Sequence, residues 1–313
     1  MKILLPDTMP LDPSLPDGVS SVVYDATAPV PEEHLDADAL VVWGNRQADL
    51  AAVAGRMPNL RWVQTLAAGP DSVLSAGFPD EVVVTSGVGL HDATVTEHAL
   101  ALTLALLRRL PQSAAAQREH RWADEIGGLQ PLRPDGAVTS LIGARVLVWG
   151  FGNIGRTLAP LLRGLGAEVR GVARSAGPRD GFDVIAEDDL TAELARTDVL
   201  VMILPATPQT ERALDADRLA ALPRHAYVVN VGRGTTVDED ALAEALRAGA
   251  IAGAAVDVTA VEPLPADSPL WDLPNLVITP HAAGGRPVGA DELIAANLAA
   301  LRAGEPLRNI VAR

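Results

Sequence analysis

The chain of 313 residues contains no cysteine, which excludes disulfide bonds, thiolate metal sites and a cysteine nucleophile. Lysine is almost absent as well, because Lys2 is the only one and the other 24 of the 25 basic residues are arginine. A Schiff-base mechanism or a P-loop mechanism would have to use Lys2, so neither is expected. An anionic substrate would have to be bound by arginine, whose planar guanidinium matches a carboxylate or a phosphate.

Further absences limit the location, the partners and the metals that the sequence predicts. The longest apolar segment, Ala99–Leu107, is far shorter than the roughly 20 residues that span a bilayer, and the apolar run in MKILLPDTMP is too short for a signal peptide. The formal net charge of −15 opposes binding to nucleic acids or anionic membranes, which need clustered cations. The histidines and acids show no metal-ligand spacing of the H-x-x-x-H kind. We therefore expect a cytoplasmic protein that binds neither nucleic acid nor membrane and needs no metal.

The most informative segment runs from Val146 to Ser175 and predicts a strand, a glycine turn, a helix and a second strand. Gly150, Gly152 and Gly155 form G-x-G-x-x-G directly after the apolar run Val146–Trp149. In dinucleotide sites the first glycine permits a tight turn, the second lets the backbone approach a pyrophosphate, and the third lets the helix pack on the sheet. Because strand and helix patterns flank the motif, it predicts a dinucleotide site rather than an ordinary glycine turn.

Short apolar runs alternate with helical patterns along the chain, which predicts parallel sheets covered by helices. Strands are predicted at Ile3–Leu5, Val19–Tyr24, Ala39–Trp43, Leu60–Leu66 and Val82–Thr85 in the first part, and at Val146–Trp149, Glu168–Ala173, Val199–Leu204, Ala226–Val231, Gly253–Val258 and Leu276–Thr279 in the second. One long buried helix is predicted at Thr94–Leu110, followed by a connecting arm over residues 111–140. Later helices are predicted at Glu239–Ala248, with Asp238 as its N-cap, and near Asp291–Arg302.

Ligands of open parallel sheets bind beyond the carboxyl ends of the strands, so residues that follow the predicted strands are candidate site residues. One cation, two carboxylates and one imidazole follow strands of the second part: Arg233, Asp257, Glu262 and His281. Together they supply an anion-binding group, a titratable base and a carboxylate to orient it. Each also has an ordinary interpretation, because Arg233 suits a surface ion pair, Glu262 and His281 suit solvated positions, and Asp257 suits a turn cap.

With these residues in place, the sequence resembles the D-isomer-specific 2-hydroxyacid dehydrogenases. The resemblance covers nearly the whole chain and is densest over residues 141–285. It rests on three long motifs, VLVWGFGNIGR, LPATPQTERALDADRLAALPRHAYVVNVGRGTTVDEDAL and AGAAVDVTAVEPLPADSPLWDLPNLVITPHAAG. Two earlier segments, QTLAAGPDSV and VTEHALALTLALLRR, are similar to the family's substrate loop and interdomain helix.

The resemblance implies an α/β fold of two doubly wound parallel-sheet domains, in which a Rossmann nucleotide-binding domain is inserted into a flavodoxin-like substrate domain. On this basis we predict a substrate domain at residues 1–98 and 282–313, and a nucleotide-binding domain at residues 99–281. The resemblance also implies a homodimer, with a dimerisation arm at about residues 108–140 that reaches toward the partner subunit. Within this arm Trp122 either approaches the partner's pocket or only packs in the dimer.

The resemblance further implies an enzyme that transfers hydride reversibly between a nicotinamide cofactor and a 2-oxo acid. His281 would protonate the carbonyl oxygen as general acid, and Glu262 would orient its ring and favour the imidazolium. Arg233 would bind the substrate carboxylate and polarise the ketone, and backbone N–H groups near Ala68 and Gly69 would bind the same carboxylate. The predicted cofactor-binding residues are Gly150, Gly152, Asn153, Ile154, Gly155, Arg174, Ser175, Pro205, Thr207, Val231, Gly232, Asp257 and Gly284, with Asp257 at the nicotinamide carboxamide.

The end of the second strand bears on which nicotinamide is bound. NAD-selective sites place Asp or Glu there, about 20 residues after the glycines, to bind the ribose 2′-OH. Here the strand ends in Ala173, followed by Arg174 and Ser175, and none of these is acidic. A carboxylate would repel a 2′-phosphate, whereas Arg174 and Ser175 suit one. This departure predicts NADP(H) rather than NAD(H); the alternative is that Arg174 is a solvated loop residue and both cofactors are accepted.

The predicted preference for NADP, together with the short chain, makes this protein similar to the glyoxylate/hydroxypyruvate reductases. We therefore predict glyoxylate or hydroxypyruvate as the substrate class. The lack of a long regulatory segment after Arg313 weakens a phosphoglycerate dehydrogenase interpretation, whereas lactate-like, branched-chain and aromatic 2-oxo acids stay open. A cofactor-sensing interaction protein on the same fold is a further alternative, disfavoured because Arg233, Glu262 and His281 are all present. An NAD-linked oxidant of a small inorganic or one-carbon anion is disfavoured by the missing acid at the strand end.

Overall fold

The chain divides into two units in the computed structural model, which describes residues 1–311. Unit 1 contains residues 1–91 and the chain from Arg286 onward, and unit 2 is Asp92–Gly285. The sequence placed the divisions instead between residues 98 and 99 and between residues 281 and 282. The first division differs because a helix that begins at Asp92 packs along its whole length within unit 2, where Val95 joins the same apolar cluster as Ala99.

Twelve strands and nine α-helices are present in the part of the chain that the structure describes. The strands are β1 Lys2–Pro6, β2 Ser20–Tyr24, β3 Ala39–Val42, β4 Trp62–Thr65, β5 Val83–Thr85, β6 Arg145–Trp149, β7 Glu168–Ala173, β8 Val184–Ala186, β9 Val199–Met202, β10 Tyr227–Asn230, β11 Gly253–Val256 and β12 Leu276–Ile278. The helices are α1 Gln47–Val53, α2 Asp71–Ser75, α3 Asp92–Leu107, α4 Leu110–Arg118, α5 Asn153–Gly164, α6 Leu190–Leu194, α7 Ala216–Ala221, α8 Glu239–Arg247 and α9 Ala290–Ala303.

Unit 1 is built on a five-stranded parallel sheet with the strand order β2-β1-β3-β4-β5, which is the flavodoxin-like order. The helix α9 returns from the end of the chain and packs on one face of this sheet, where Ile294 and Leu298 join Ile3 and Val41. A buried amide pair fixes its position, because Asn297 Nδ2 donates to Gln64 Oε1 at 2.9 Å. Unit 1 is therefore completed by the segment that follows unit 2 in sequence.

Unit 2 is built on a seven-stranded parallel sheet with the strand order β12-β11-β10-β9-β6-β7-β8. Counted from β6, this is the doubly wound order 3-2-1-4-5-6 of the Rossmann fold, extended by β12. The strand order reverses between β6 and β9, so the crevice that binds ligands in such folds lies next to the segment after β6. The predicted fold class, a Rossmann domain inserted into a flavodoxin-like domain, is confirmed.

Successive side chains of each strand point to opposite faces of the sheet, and they form the two apolar cores of unit 2. In β6, Val146 and Val148 enter the apolar cluster on one face of the sheet, whereas Leu147 and Trp149 enter the cluster on the other. All four side chains are at most 1% exposed. A strand that is buried on both faces has a continuous apolar run instead of alternating apolar and polar residues. For this reason VLVW was recognisable as a central strand.

The predicted strands are confirmed within a few residues, and β7 has the bounds that the sequence predicted. The three-residue β8 was missed, because a run as short as Val184–Ala186 shows no periodicity. The predicted helix Thr94–Leu110 is wrong at its end, because Arg109 takes a left-handed φ of 51° and separates α3 from α4. The arm predicted over residues 111–140 therefore begins with a helix. Among residues 1–311, no helix combines the length and the apolar character needed to cross a membrane.

Asp198 is a fully buried carboxylate that lies directly before β9, at the amino edge of the sheet of unit 2. Its oxygens accept hydrogen bonds from Arg133 Nη2 at 2.9 Å, from the Arg145 amide at 2.8 Å and from His225 Nε2 at 2.8 Å. Burial by itself raises the pKa of this carboxyl, but these donors outweigh burial and lower the pKa below its usual value. Because Arg133 belongs to the arm, this carboxylate fastens the arm to the sheet.

We expect Asp198→Asn to lower the free energy of unfolding by about 1.5–3 kcal/mol near neutral pH, since charge-assisted hydrogen bonds are lost. A carboxyl whose pKa is lowered by folding stabilises the native state above its unfolded pKa of about 3.9, and this contribution disappears as the pH falls through the native pKa. The gap between wild type and variant should therefore close as the pH falls below the unfolded pKa of about 3.9. Urea unfolding across this pH range measures it.

Asp183→Asn is the matched control for this prediction. Asp183 pairs with Arg170 at 3.7 Å but is 80% exposed, and such surface pairs contribute little. An Asp198→Asn variant as stable as this control near neutral pH would show that the buried ion pair does not stabilise the sheet edge.

Candidate active site

The sequence-predicted groups of unit 2 gather at one edge of its sheet. All seven strands are parallel, so the segments that follow them leave from the same edge. The glycine turn follows β6, Arg174 and Ser175 follow β7, and Pro205 and Thr207 follow β9. The Arg233 loop follows β10, Asp257 follows β11, and His281 follows β12. Because β10, β11 and β12 are adjacent, the three predicted catalytic residues start from neighbouring strand ends.

The glycine turn has the backbone features that a dinucleotide pyrophosphate needs. Gly150 has φ +101°, and a Cβ there would lie 2.5 Å from Ile203 O, so only glycine fits between β6 and the end of β9. Gly152 is the N-cap of α5, and a Cβ there would meet no atom within 4 Å, which leaves room for a ligand. The first amides of α5, at Asn153, Ile154 and Gly155, have no helical acceptor and suit an anion.

A cationic group joins this turn to the end of β7. The Arg179 guanidinium donates to Ser175 O at 2.8 Å, to Ser175 Oγ at 2.9 Å and to Phe151 O at 3.4 Å. Arg174 is exposed next to it, and the nearby acid Asp180 is paired with Arg156. Two guanidinium groups and one hydroxyl therefore lie at this end of the strand. Sequence reasoning missed Arg179, although a second arginine five positions after Arg174 was a usable signal.

Five other predicted cofactor residues lie at the same edge with differing surroundings. Thr207 takes part in a self-contained turn, since its amide donates to Thr210 Oγ1 at 2.9 Å, and such a contact is also typical of a threonine with only a turn-forming role. The amide of Gly232 donates to the buried Asn230 Oδ1 at 3.1 Å. Cofactor roles at these positions stay predictions, as they do for the remaining members of the group, Pro205, Val231 and Gly284.

His281 and Glu262 form a close imidazole–carboxylate pair. The Nδ1 of His281 lies 2.7 Å from Oε2 of Glu262, and the two side chains are 47% and 38% exposed. The second carboxylate oxygen, Glu262 Oε1, accepts the Thr259 amide at 3.0 Å, so the carboxylate is held from both sides. This arrangement fixes the ring through Nδ1 and leaves Nε2 for another partner.

Asp257 fixes the turn that bears His281. Its carboxylate is 1% exposed and accepts the Ala282 amide at 2.8 Å and the Ala283 amide at 3.0 Å, while its own carbonyl accepts the His281 amide at 2.7 Å. His281 takes a left-handed φ of 51°, which non-glycine residues adopt infrequently. The sequence predicted a nicotinamide contact for Asp257; that contact stays a prediction, and the structure assigns the carboxylate to the turn.

Arg233 lies in a loop held by its own backbone. Its carbonyl accepts hydrogen bonds from Asn230 Nδ2 at 3.1 Å and from Thr236 Oγ1 at 2.6 Å. A Cβ on Gly234 would lie 1.9 Å from the carbonyl carbon of Thr259, so this loop packs directly on the turn that leads to Glu262. A series of contacts thus connects the predicted catalytic residues. It runs from the Arg233 loop through Thr259 to Glu262, and from Glu262 to His281.

Glu239, at the start of α8, supports the same turn and was missed by sequence reasoning. Its Oε1 accepts the Ala260 amide at 2.6 Å, next to the Thr259 amide that Glu262 accepts. Burial raises the pKa of Glu239, and the nearby negative charges of Asp240 and Glu262 raise it further. The pattern VDED identified this segment only as a helix start, because an N-terminal acid is expected there in any helix.

The substrate residues predicted in unit 1, Ala68 and Gly69, follow the carboxyl end of β4 and are half-buried. The loop that contains them starts at Leu66, whose carbonyl lies 2.7 Å from His91 Nε2. The His91 ring stacks on Trp43 with 5.5 Å between ring centroids. The loop is therefore anchored within its own unit, and the role of its amides as substrate ligands stays a prediction.

Comparison with known proteins extends this picture. The family model of the D-isomer specific 2-hydroxyacid dehydrogenase NAD binding domain matches residues 100–283. The D-3-phosphoglycerate dehydrogenase of Mycobacterium tuberculosis is 36% identical over 259 residues, which are 81% of this chain but only 46% of that protein. The chain thus spans about half the length of these curated relatives.

Two other similar proteins match over most of their length. The glyoxylate/hydroxypyruvate reductase A of Escherichia fergusonii is 34% identical over 290 residues, which are 90% of this chain and 88% of that protein. The structure of the NADPH-dependent glyoxylate/hydroxypyruvate reductase of Sinorhizobium meliloti in complex with NADP and sulfate has a TM-score of 0.80 at 28% identity, covering 99% and 97% of the two chains. Sequence, fold and the strand-edge residues agree, and the chain belongs to the D-isomer specific 2-hydroxyacid dehydrogenase family.

Proposed function

We propose that the protein uses NADPH to reduce a small 2-oxo acid, such as glyoxylate or hydroxypyruvate, to the corresponding 2-hydroxy acid, which has the D configuration where the product is chiral. The observation that carries this proposal is the 2.7 Å contact between His281 Nδ1 and Glu262 Oε2, in a turn that packs on the Arg233 loop. This contact supports an acid role for the imidazole, at the strand edge from which the Arg233 loop and the glycine turn also leave. The similarity to a glyoxylate/hydroxypyruvate reductase over 88% of its length supports the substrate class.

In the proposed reduction, the glycine turn and the first amides of α5 would hold the dinucleotide, which would supply two electrons to the carbonyl carbon as a hydride and be left oxidised, so that a C–H bond replaces the C=O π bond. Nε2 of His281 donates the proton that completes the hydroxyl group. The Glu262 carboxylate accepts the Nδ1–H and stabilises the imidazolium before that transfer. Arg233 binds the substrate carboxylate and stabilises the negative charge that develops on the carbonyl oxygen. The imidazole then regains a proton from solvent.

We further propose that Arg174, Ser175 and Arg179 bind a 2′-phosphate on the adenosine ribose. The two guanidinium groups supply charge and the serine hydroxyl supplies a donor, while no acid follows β7 directly to repel a phosphate. The similar reductase of Sinorhizobium meliloti was solved with NADP, which supports the same choice here.

A homodimer formed through the arm is also proposed. Residues 119–140 carry three large apolar side chains at the surface, since Trp122, Leu129 and Leu132 are 87%, 107% and 49% exposed. Large exposed apolar groups on one segment are typical of a protein interface. Within such a dimer Trp122 either approaches the partner's pocket or only packs in the interface, and both alternatives depend on dimer formation.

Replacement of His281 tests the acid role. We expect His281→Ala to lower kcat for glyoxylate or hydroxypyruvate reduction by about 10²–10⁴-fold, because positioned proton transfer is lost, while NADPH affinity stays the same. Turnover is followed by the nicotinamide absorbance and affinity by nicotinamide fluorescence. The control is His120→Asn at an exposed position outside the site. Wild-type turnover in His281→Ala would disprove the acid role, and no turnover of any 2-oxo acid by wild type would disprove the proposed reaction.

Cofactor preference is expected to depend on the two arginines after β7. Wild type should use NADPH with a higher kcat/KM than NADH. Arg174→Ala and Arg179→Ala should each lower kcat/KM for NADPH by about 10–100-fold, as expected for one charged hydrogen bond, with little change for NADH. Arg247→Ala, at the exposed end of α8, is the matched control. A clear preference of the wild type for NADH would overturn the assignment.

The assembly proposal predicts that a charge in the arm separates the subunits. Wild type should sediment as a dimer, and Leu129→Asp should shift it toward monomer, because an apolar interface side chain becomes a buried charge. Val23→Asp introduces the same charge at a 63% exposed position of unit 1 and should leave the dimer intact. Sedimentation velocity at several concentrations measures both. A monomeric wild type would contradict the proposal.

A further inference from the structure

A second imidazole lies against the carboxylate that fixes the His281 turn. His98 comes from α3, and its Nε2 is 3.1 Å from Asp257 Oδ1 and 2.9 Å from Thr279 Oγ1. Its side chain is 23% exposed, whereas Asp257 is 1% exposed. Thr279 directly follows β12, two residues before His281. The contact therefore links a helix on the face of the sheet to the segment that presents the proposed acid.

The donors and acceptors in this cluster have a consistent direction. Thr279 Oγ1 lies 2.5 Å from Asp257 Oδ1, and an ionised carboxylate only accepts, so the threonine hydroxyl donates to it. The threonine oxygen is then free to accept from His98, which requires the proton on Nε2 of that ring. The result is a chain of donors from His98 through Thr279 that ends on the buried carboxylate.

The same carboxylate accepts the amides of Ala282 and Ala283, and these hold His281 in its left-handed conformation. If His98 were absent, Thr279 Oγ1 and Asp257 Oδ1 would each lose one of the donors that fix the orientation of the hydroxyl and the carboxylate. The turn would then be free to relax toward a more common backbone conformation, which would move the imidazole away from Glu262.

We propose that His98 is a positioning residue that keeps the His281 turn in its productive geometry through Thr279 and Asp257. The proposal rests on the proposed function, in which His281 acts as the general acid. His98 is not assigned a contact with substrate or cofactor. Its effect is confined to the placement of the acid, so its loss should affect turnover more than binding.

The test compares two substitutions of His98 with a matched histidine elsewhere in unit 2. His98→Leu removes the donor, whereas His98→Gln keeps an amide N–H close to the position of Nε2. His225→Leu is the control, because His225 Nε2 also contacts a buried carboxylate, Asp198 Oδ1 at 2.8 Å, and is 32% exposed. That pair lies at the amino edge of the sheet, so its loss reports the structural cost of removing such a contact.

We expect His98→Leu to lower kcat for 2-oxo acid reduction by about 10–100-fold with KM changed by less than about threefold, since a small displacement of a catalytic group has this effect. His98→Gln should recover most of the rate. His225→Leu should lower the thermal unfolding temperature while kcat stays near that of wild type. Equal kcat values for His98→Leu and His225→Leu, or no recovery in His98→Gln, would overturn the proposal.

A measurement that needs no turnover separates this proposal from the proposed function. In ¹⁵N-labelled protein, the imidazole resonances of His281 are identified by their loss in His281→Ala, and the Nδ1–H that donates to Glu262 is observed directly. We expect that proton to persist in wild type, His98→Gln and His225→Leu and to be lost by exchange in His98→Leu. Its persistence in His98→Leu would refute the positioning role, even if wild type reduces no 2-oxo acid.

Discussion

The buried carboxylate of Asp257 is the group on which the candidate active site depends. It lies at the end of β11, between the strands that precede Arg233 and His281. A buried carboxylate without partners is costly, so this one constrains every donor that satisfies it. Two of these donors are the consecutive amides of Ala282 and Ala283. The backbone of the His281 turn is thereby fixed independently of the contact between its side chain and Glu262, which limits the reorganisation that the proposed acid role would require.

Close approach between backbones makes the neighbouring loops similarly rigid. A Cβ on Gly232 would lie 2.6 Å from the backbone of Leu204, and one on Gly234 would overlap Thr259. The segments after β9, β10 and β11 therefore touch through main-chain atoms, without flexible side chains between them. The proposed role of Arg233, binding a planar carboxylate through its guanidinium, would gain from such a support, because the geometry of the loop is set by the strands. The glycines that flank Arg233 serve this packing.

The sequence was sufficient to predict the elements that form through local interactions or that show a strong apolar pattern. The run Val146–Trp149 had to be a central strand, and the glycines after it had to turn into a helix. Parallel strands then place Arg233, Glu262 and His281 at one edge without further information. Contacts between residues that are distant in sequence could not be predicted. His98 is 181 positions from Thr279, and nothing in the helical pattern of α3 indicates which strand end its imidazole would meet.

Two histidine–aspartate contacts in unit 2 show why location decides what such a pair can do. His225 with Asp198 and His98 with Asp257 have the same chemistry and similar burial. The first lies at the amino edge of the sheet, where its carboxylate gathers Arg133 and the start of β6 and so stabilises the arm. The second lies at the carboxyl edge, where strand direction places every loop that can reach a ligand. The same interaction therefore contributes stability at one edge and places the proposed acid at the other.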